Sequence, residues 1–174
     1  MKNMTGFDFK ARFISSQPRV PSEPDLGLDE FVVYEAGQVC SLAPQDAELL
    51  VKQGLPRDAA PFLSFEAYSS SQIAHRLMVY GISEDYFPLG QNGSGDVLAI
   101  DRRSREVVYF NHDFDNARVF INSTLVLFAQ CLCIFQEHLR DSTMERCLVE
   151  IARVDSAAAV PGAMWADAVS EELC

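Results

Sequence analysis

Side chains able to do chemistry are few and scattered in this chain. Histidine occurs three times, at His75, His112 and His138, and cysteine five times, at Cys40, Cys131, Cys133, Cys147 and Cys174. The nearest approach to a metal site is His112-Asp113-Phe114-Asp115, where one imidazole and two carboxylates could hold a divalent ion if a turn folded around it. Further ligands do not follow in the nearby sequence, and Asp and Asn are ordinary turn formers, so a surface turn is the expected structure. Nucleophilic catalysis would need a thiol or hydroxyl beside a base and an oxyanion hole. Cys131 and Cys133 fall in an apolar run, where a thiol packs as a small inert hydrophobe. His138 follows near the polar end of that run, His75 is isolated, and no Gly-x-Ser-x-Gly elbow is present. The glycines of Gly90-x-x-Gly93-x-Gly95 lack the dinucleotide order, and no Gly-Lys-Ser/Thr follows them. They lead into a strand, whereas a phosphate cradle needs a helix N-terminus, so a plain hairpin turn is expected. The adjacent pairs Glu84-Asp85 and Glu171-Glu172 need not converge and read as solvated surface. The expectation is a protein that is not an enzyme and takes no cofactor and no metal.

Composition points to association instead. The net charge is -11 and the isoelectric point about 4.6, with the acid spread along the chain and not gathered in a tail. Such a field repels phosphates, which argues against nucleic acid as a direct partner, and it attracts a basic protein. Hydrophobic residues make up 48%, with twelve Phe and a single Trp165, an ordinary globular composition. A chain of 174 residues is enough for one domain with a sizeable core. The odd, unpatterned cysteines and the absence of a continuous apolar segment over residues 1–13 fit free thiols in the cytoplasm. Leu125 to Phe135, interrupted by Gln130, falls well short of the ~18–20 residues that span a bilayer, so no membrane association is expected.

The elements that would position these residues follow from periodicity and turn chemistry. The first 30 residues, with Pro18, Pro21 and Pro24, read as a short helix or loose arm followed by an extended connector, and 31–174 as the core. Phe31 to Tyr34 is β-prone. Pro44 in a first turn and Gly54 at a left-handed C′ position bound a helix over 43–53. Phe62 to Tyr68 alternates as a half-buried strand, and the spacing of Ile73 to Tyr80 does not separate helix from strand. Strands over 86–89, 96–101, 106–110 and 118–121, joined by polar turns, make an antiparallel meander. Pro88 lacks an amide donor, which places it on an edge strand or at a bulge. Leu125, Phe128, Leu132, Phe135 and Leu139 form one helical stripe, and Val126, Leu127, Cys131 and Ile134 make the other side apolar too. The helix is therefore buried on more than one face, with Asn122 or Ser123 as its cap. Ser142-Thr143-Met144-Glu145 has the pattern of a capping box opening the next helix, and a last helix over 164–172 holds Trp165 against the body. The fold class is α/β (α+β): one domain with a central, mostly antiparallel sheet flanked by helices.

Several short motifs occur in a characteristic order. They are Gly54-Leu55-Pro56, the Phe62/Phe65 strand, Leu89-Gly90-x-x-Gly93-x-Gly95-Asp96 followed by Leu98-x-Ile100-Asp101, and the Glu106-Val107-Val108 strand. Ile121-Asn122-Ser123-Thr124-Leu125-x-x-Phe128 then enters the long helix, and Trp165 stands in the last one. In this order and spacing the chain resembles the SUKH superfamily, and within it the fourth family of bacterial immunity proteins. The resemblance covers about three quarters of the chain; residues 69–85 and the Pro-rich N-terminal part match poorly. It implies a protein encoded beside a polymorphic toxin, which it binds and neutralises in the producing cell. Many toxins met by this superfamily are nucleases or nucleic-acid deaminases, whose basic substrate surfaces an acidic binder would complement.

The family supplies no catalytic residues. The partner contacts expected from this sequence are Glu84, Asp85, Asp96, Asp101, Asp113 and Asp115, which fall on the turns of the meander. The expected partner is a cognate protein toxin with a basic surface, met by a monomer or weak dimer. The alternative is a non-catalytic scaffold or regulatory protein, or a small acidic secretion chaperone.

Overall fold

The computed structural model describes residues 7–19 and 26–174; Pro21 and Pro24 of the expected connector lie outside the described residues. In chain order the elements are α1 (Phe9–Ser16), β1 (Phe31–Val32), α2 (Pro44–Lys52), β2 (Leu55–Pro56), β3 (Asp58–Ala59) and β4 (Leu63–Phe65). There follow α3 (Ser70–Tyr80), β5 (Tyr86–Asn92), β6 (Val97–Asp101), β7 (Val107–Asn111) and β8 (Ala117–Asn122). The chain closes with α4 (Leu125–Asp141), α5 (Met144–Val154) and α6 (Met164–Glu172). Strands β3 to β8 form one six-stranded antiparallel sheet in sequence order, and β1 pairs with β2 in a small ribbon of its own. The fold is the expected α+β domain.

Strand alternation builds a core on each face of this sheet. Phe65, Phe87, Leu89, Leu98, Ile100, Val107 and Ile121 point to one side and meet Phe128, Leu132 and Phe135 of α4. Val97, Ala99, Val108 and Phe110 point to the other and meet Leu77 of α3 and Ile82. The long helix is apolar nearly all round for a simple reason. Its sheet-facing side fills the main core, while α1 and α5 pack on it from outside through Phe9, Phe13, Cys147 and Ile151. Trp165 of α6 is fully buried and stacks at an angle on Phe128 and Phe135.

Local chemistry at the element ends decides what spacing leaves open. Residues 73–80 belong to a helix, because Ser69 and Gln72 close a reciprocal capping box and Gly81 takes the left-handed conformation at its end. Gly54 ends α2 at φ +75°, and a Cβ there would lie 2.2 Å from the carbonyl oxygen of Val32. Pro88 sits in an interior strand and at a bulge, where the β5–β6 register shifts between Pro88 and Gly90. Gly90 makes that register possible: a Cβ there would come to 1.9 Å from the Ser64 carbonyl oxygen on the neighbouring strand.

Two capping expectations are corrected. The hydroxyl of Thr124, not a side chain of Asn122 or Ser123, caps α4 by accepting from the Leu127 amide. Asn122 and Ser123 are engaged elsewhere, since both donate to the buried carboxylate of Asp155 at the end of α5. Ser142 closes α4 in the left-handed conformation, φ +55°, and so does not open α5 with a capping box. Thr143 precedes α5, but its hydroxyl lies 2.6 Å from His138 Nδ1 and makes no cap bond. Among the described residues no helix is long and apolar enough to cross a membrane.

Candidate partner-binding surface

The antiparallel meander divides its turns between two ends of the sheet. The β5–β6 and β7–β8 turns share one end with the β3–β4 turn, because Leu63 pairs with Asn92. The β6–β7 turn and the start of β5 share the other, because Tyr86 pairs with Asp101. The six acidic residues expected at a partner surface split accordingly. Asp96, Asp113 and Asp115 lie at the first end, and Glu84, Asp85 and Asp101 at the second. A five-residue strand separates the two groups by about 17 Å.

At the first end His112-Asp113-Phe114 forms a single turn of 3-10 helix, and Asp115 follows in the left-handed conformation. Asp96, only 5% exposed, staples this turn to its neighbour. It accepts from the His112 amide at 3.0 Å and from Asn92 Nδ2 at 2.9 Å, and His112 Nδ1 lies 2.6 Å from it. Burial raises the pKa of Asp96, but the bonds from the His112 amide, Asn92 and the His112 ring outweigh it and hold the carboxylate below its ordinary range. The Asp96 hydrogen bond, followed by the charge of Asp113, raises His112 in turn. Asp113 and Asp115 are exposed, with Asp113 Oδ1 3.3 Å from His112 Nε2. The motif therefore folds as a surface turn with an ionic staple beneath it. Among the described residues no group of three or more His, Cys, Asp and Glu side chains is arranged to hold a metal ion.

At the second end the carboxylates have basic neighbours. Asp101 accepts from the amides of Arg103 and Ser104 and from Arg118, which reaches across from β8 to pair with Glu106 as well. Burial alone would raise Asp101; these bonds bring it below its ordinary range. Asp85 pairs with Arg103 at 3.0 Å. Glu84 lines a groove of about 290 Å³ with Arg102 and Cys40, against α3.

Two openings larger than this groove lie at the first end, on either side of Phe62. One, of about 420 Å³, runs between Phe62 and α6 and is lined by Tyr109, Met164, Asp167 and Glu171. The other, of about 570 Å³, has Asp58, Leu139 and Glu172 on its walls. Phe62 itself is 77% exposed. Elsewhere four arginines form ion pairs: Arg12 with Glu137, Arg57 with Glu30, Arg105 with Asp46, Arg140 with Asp141. Among the described residues no Lys or Arg pairs with Asp58, Asp113, Asp115, Asp167, Glu171 or Glu172. These six carboxylates give this end of the molecule a negative surface.

The sequence reading overlooked Phe62 and α6 as parts of a surface. The signal lay in the burial alternation around β4, where Phe62, Ser64 and Glu66 are exposed while Leu63 and Phe65 are buried. Candidate nucleophiles are placed elsewhere. Burial pushes the thiols of Cys131, Cys133 and Cys147 up to about 12. His138 turns from them to Thr143 and to Glu150, 3.2 Å from its Nε2, and the three imidazoles lie on three separate elements.

A family model of SUKH-4 immunity proteins matches residues 26–172, every element from β1 to α6. The chain belongs to the SUKH-4 immunity protein family. Membership assigns it an immunity role, and with it the binding of a cognate toxin. Comparison with curated proteins and with solved structures gave no match. The motif glycines noted in the sequence acquire structural reasons within this family fold: Gly54 and Gly90 stand where neighbouring backbone leaves no room for a Cβ. Helix α1 precedes the matched region, yet contributes Phe9 and Phe13 to its core.

Proposed function

We propose that this protein neutralises its cognate toxin, a nuclease or nucleic-acid deaminase, by covering the toxin's cationic substrate site, and that it does so without catalysis. The observation that carries this reading is the set of carboxylates that, among the described residues, have no Lys or Arg partner at one end of the sheet, in a chain of net charge -11. A site built to hold nucleic-acid phosphates presents Lys and Arg to anions, and such a carboxylate array competes for the same groups. Long-range attraction raises the encounter rate by a factor of about 10–1,000 at low salt.

Rigidity favours the same reading. The Asp96–His112 staple holds the turn bearing Asp113 and Asp115 before any partner arrives, which reduces the ordering cost of association. Glu84, Asp85 and Asp101 form a second acidic patch at the far end, partly neutralised by Arg103 and Arg118. The protein acts in the cytoplasm of the producing cell, as a monomer or weak dimer.

The test is inhibition of the toxin's own chemistry. Equimolar protein is expected to abolish nucleic-acid cleavage or deamination by the purified toxin domain, with inhibition weakening as salt rises. Tight binding that leaves the toxin fully active on nucleic acid would refute occlusion.

A further inference from the structure

Phe62 is costly where it stands. Its φ of +54° is a left-handed conformation that a bulky side chain rarely adopts and that Asn or Gly adopts readily. The ring gives nothing to the core in return, being 77% exposed. Across the adjoining groove Asp167 and Glu171 stand four residues apart on α6, so that two like charges share one helix face. That arrangement opposes helix formation by itself, and no Lys or Arg among the described residues relieves it. The groove floor between them offers Tyr109 and Met164, an aromatic and a flexible apolar side chain. An exposed aromatic in a strained conformation, a half-apolar groove and unrelieved carboxylates thus meet at one place. Asp167 suits the first turn of α6, but folding gives no reason for the exposed ring or for Glu171 in the last turn.

We infer that the groove between Phe62 and α6 is the seat of the toxin, with Phe62 as the apolar anchor and Asp167 and Glu171 as partners for Lys or Arg side chains around the toxin's substrate pocket. This rests on the immunity reading above and deepens it by naming the contact surface. The partner chemistry follows from charge complementarity: a cationic protein surface with an apolar recess for one phenyl ring. Asp113 and Asp115, on the same end of the sheet, extend the acidic rim. Aromatic anchors in desolvated pockets dominate protein interfaces, and flanking charges set the encounter rate.

The probe is a catalytically inert form of the C-terminal domain of the polymorphic toxin encoded beside this chain. Its binding is measured by surface plasmon resonance across a salt series, with thermal unfolding of each variant alongside. Phe62→Asn is expected to weaken affinity about 30-fold or more with a melting temperature equal to or above that of the parent. Asp167→Asn with Glu171→Gln is expected to lower the association rate about 10-fold at low salt and to flatten its salt dependence, again without loss of stability. A charge-matched control, Glu35→Gln with Glu48→Gln, exposed residues away from the groove, should retain parental affinity within about twofold. Parental binding by all variants overturns this surface and leaves the immunity reading intact. Equal losses in the control and the α6 pair also overturn it, as does lost affinity accompanied by lost stability. Absence of binding by the parent protein overturns the immunity reading, and this surface with it.

Discussion

Replacing Asn122 with alanine should be among the most damaging single changes in this protein. Asn122 is fully buried and links three elements: its Nδ2 donates to Asp155 Oδ2 at 3.0 Å, and its Oδ1 accepts from Trp165 Nε1 at 2.9 Å. Alanine leaves the indole N–H of Trp165 without an acceptor where water cannot reach, a loss of about 1–3 kcal/mol. Asp155 loses one donor but keeps the amide and hydroxyl of Ser123, which limits that part to roughly 1 kcal/mol. With a small cavity added, the total is about 3–4 kcal/mol, a large share of the ~5–15 kcal/mol available to a domain. The assay is urea unfolding followed by the fluorescence of Trp165, the single tryptophan of the chain. The midpoint should fall with little change in the denaturant dependence of the free energy. Trp165→Phe removes the donor from the other side, so the two changes together should cost less than their sum when followed by circular dichroism. A loss below ~1 kcal/mol for Asn122→Ala, or strict additivity of the pair, would refute the reasoning.

Other consequences are open to measurement. Arg105→Ala severs the paired contacts of Arg105 with Asp46, whose side chain is 1% exposed, and should destabilise the protein by about 2–3 kcal/mol, since Arg105 itself reaches water; adding Asp46→Ala should recover part of that loss in chemical unfolding. The staple at the turn end is bounded in pH on both sides. The raised pKa of His112 gives stabilisation that is complete below its unfolded value of about 6.5 and lost as pH rises through the folded pKa. The lowered pKa of Asp96 gives stabilisation that is complete above its unfolded value of about 3.8 and lost as pH falls through the folded pKa. Nuclear magnetic resonance titration of the His112 ring should therefore show a midpoint above 6.5 that falls back in Asp96→Asn; a midpoint at or below 6.5 in the parent would contradict the staple. A thiol reagent should label Cys40 and Cys174 rapidly in the native protein and reach Cys131, Cys133 and Cys147 only on unfolding. Rapid labelling of a third thiol would count against the packing of α4 and α5.

The elements legible in the sequence were those whose signal is local. The apolar run Val97 to Ile100 reports a strand buried on both faces, the stripe from Leu125 to Leu139 reports a buried helix, and Gly54 marks a helix end by conformation alone. Residues 69–85 resisted, because α3 buries only one narrow strip through Leu77 and leaves Met78 and Val79 exposed. The caps of α4 and α5 were misplaced because their candidate side chains are claimed by distant partners. Asp155 takes Asn122 and Ser123, and His138 takes Thr143, contacts that close only when the chain is folded. The surface was the least legible part. Turn acids are visible in sequence, but whether an arginine neutralises them is a tertiary fact: Arg118 reaches Asp101 from another strand, while among the described residues no Lys or Arg pairs with Asp167 or Glu171. The phenyl ring of Phe62 reads as core from its type, but it stands just before β4 in a left-handed conformation and is exposed, whereas Leu63 and Phe65 are buried.

The central claim is that this chain neutralises a toxin by binding it. The most direct measurement is survival of cells that express the active cognate toxin, with and without this protein at equal level. Full restoration of growth by the parent protein, with a one-to-one complex recovered from the same cells, is the predicted result. Cell death at the undiminished rate, with the protein folded and abundant, would contradict the account.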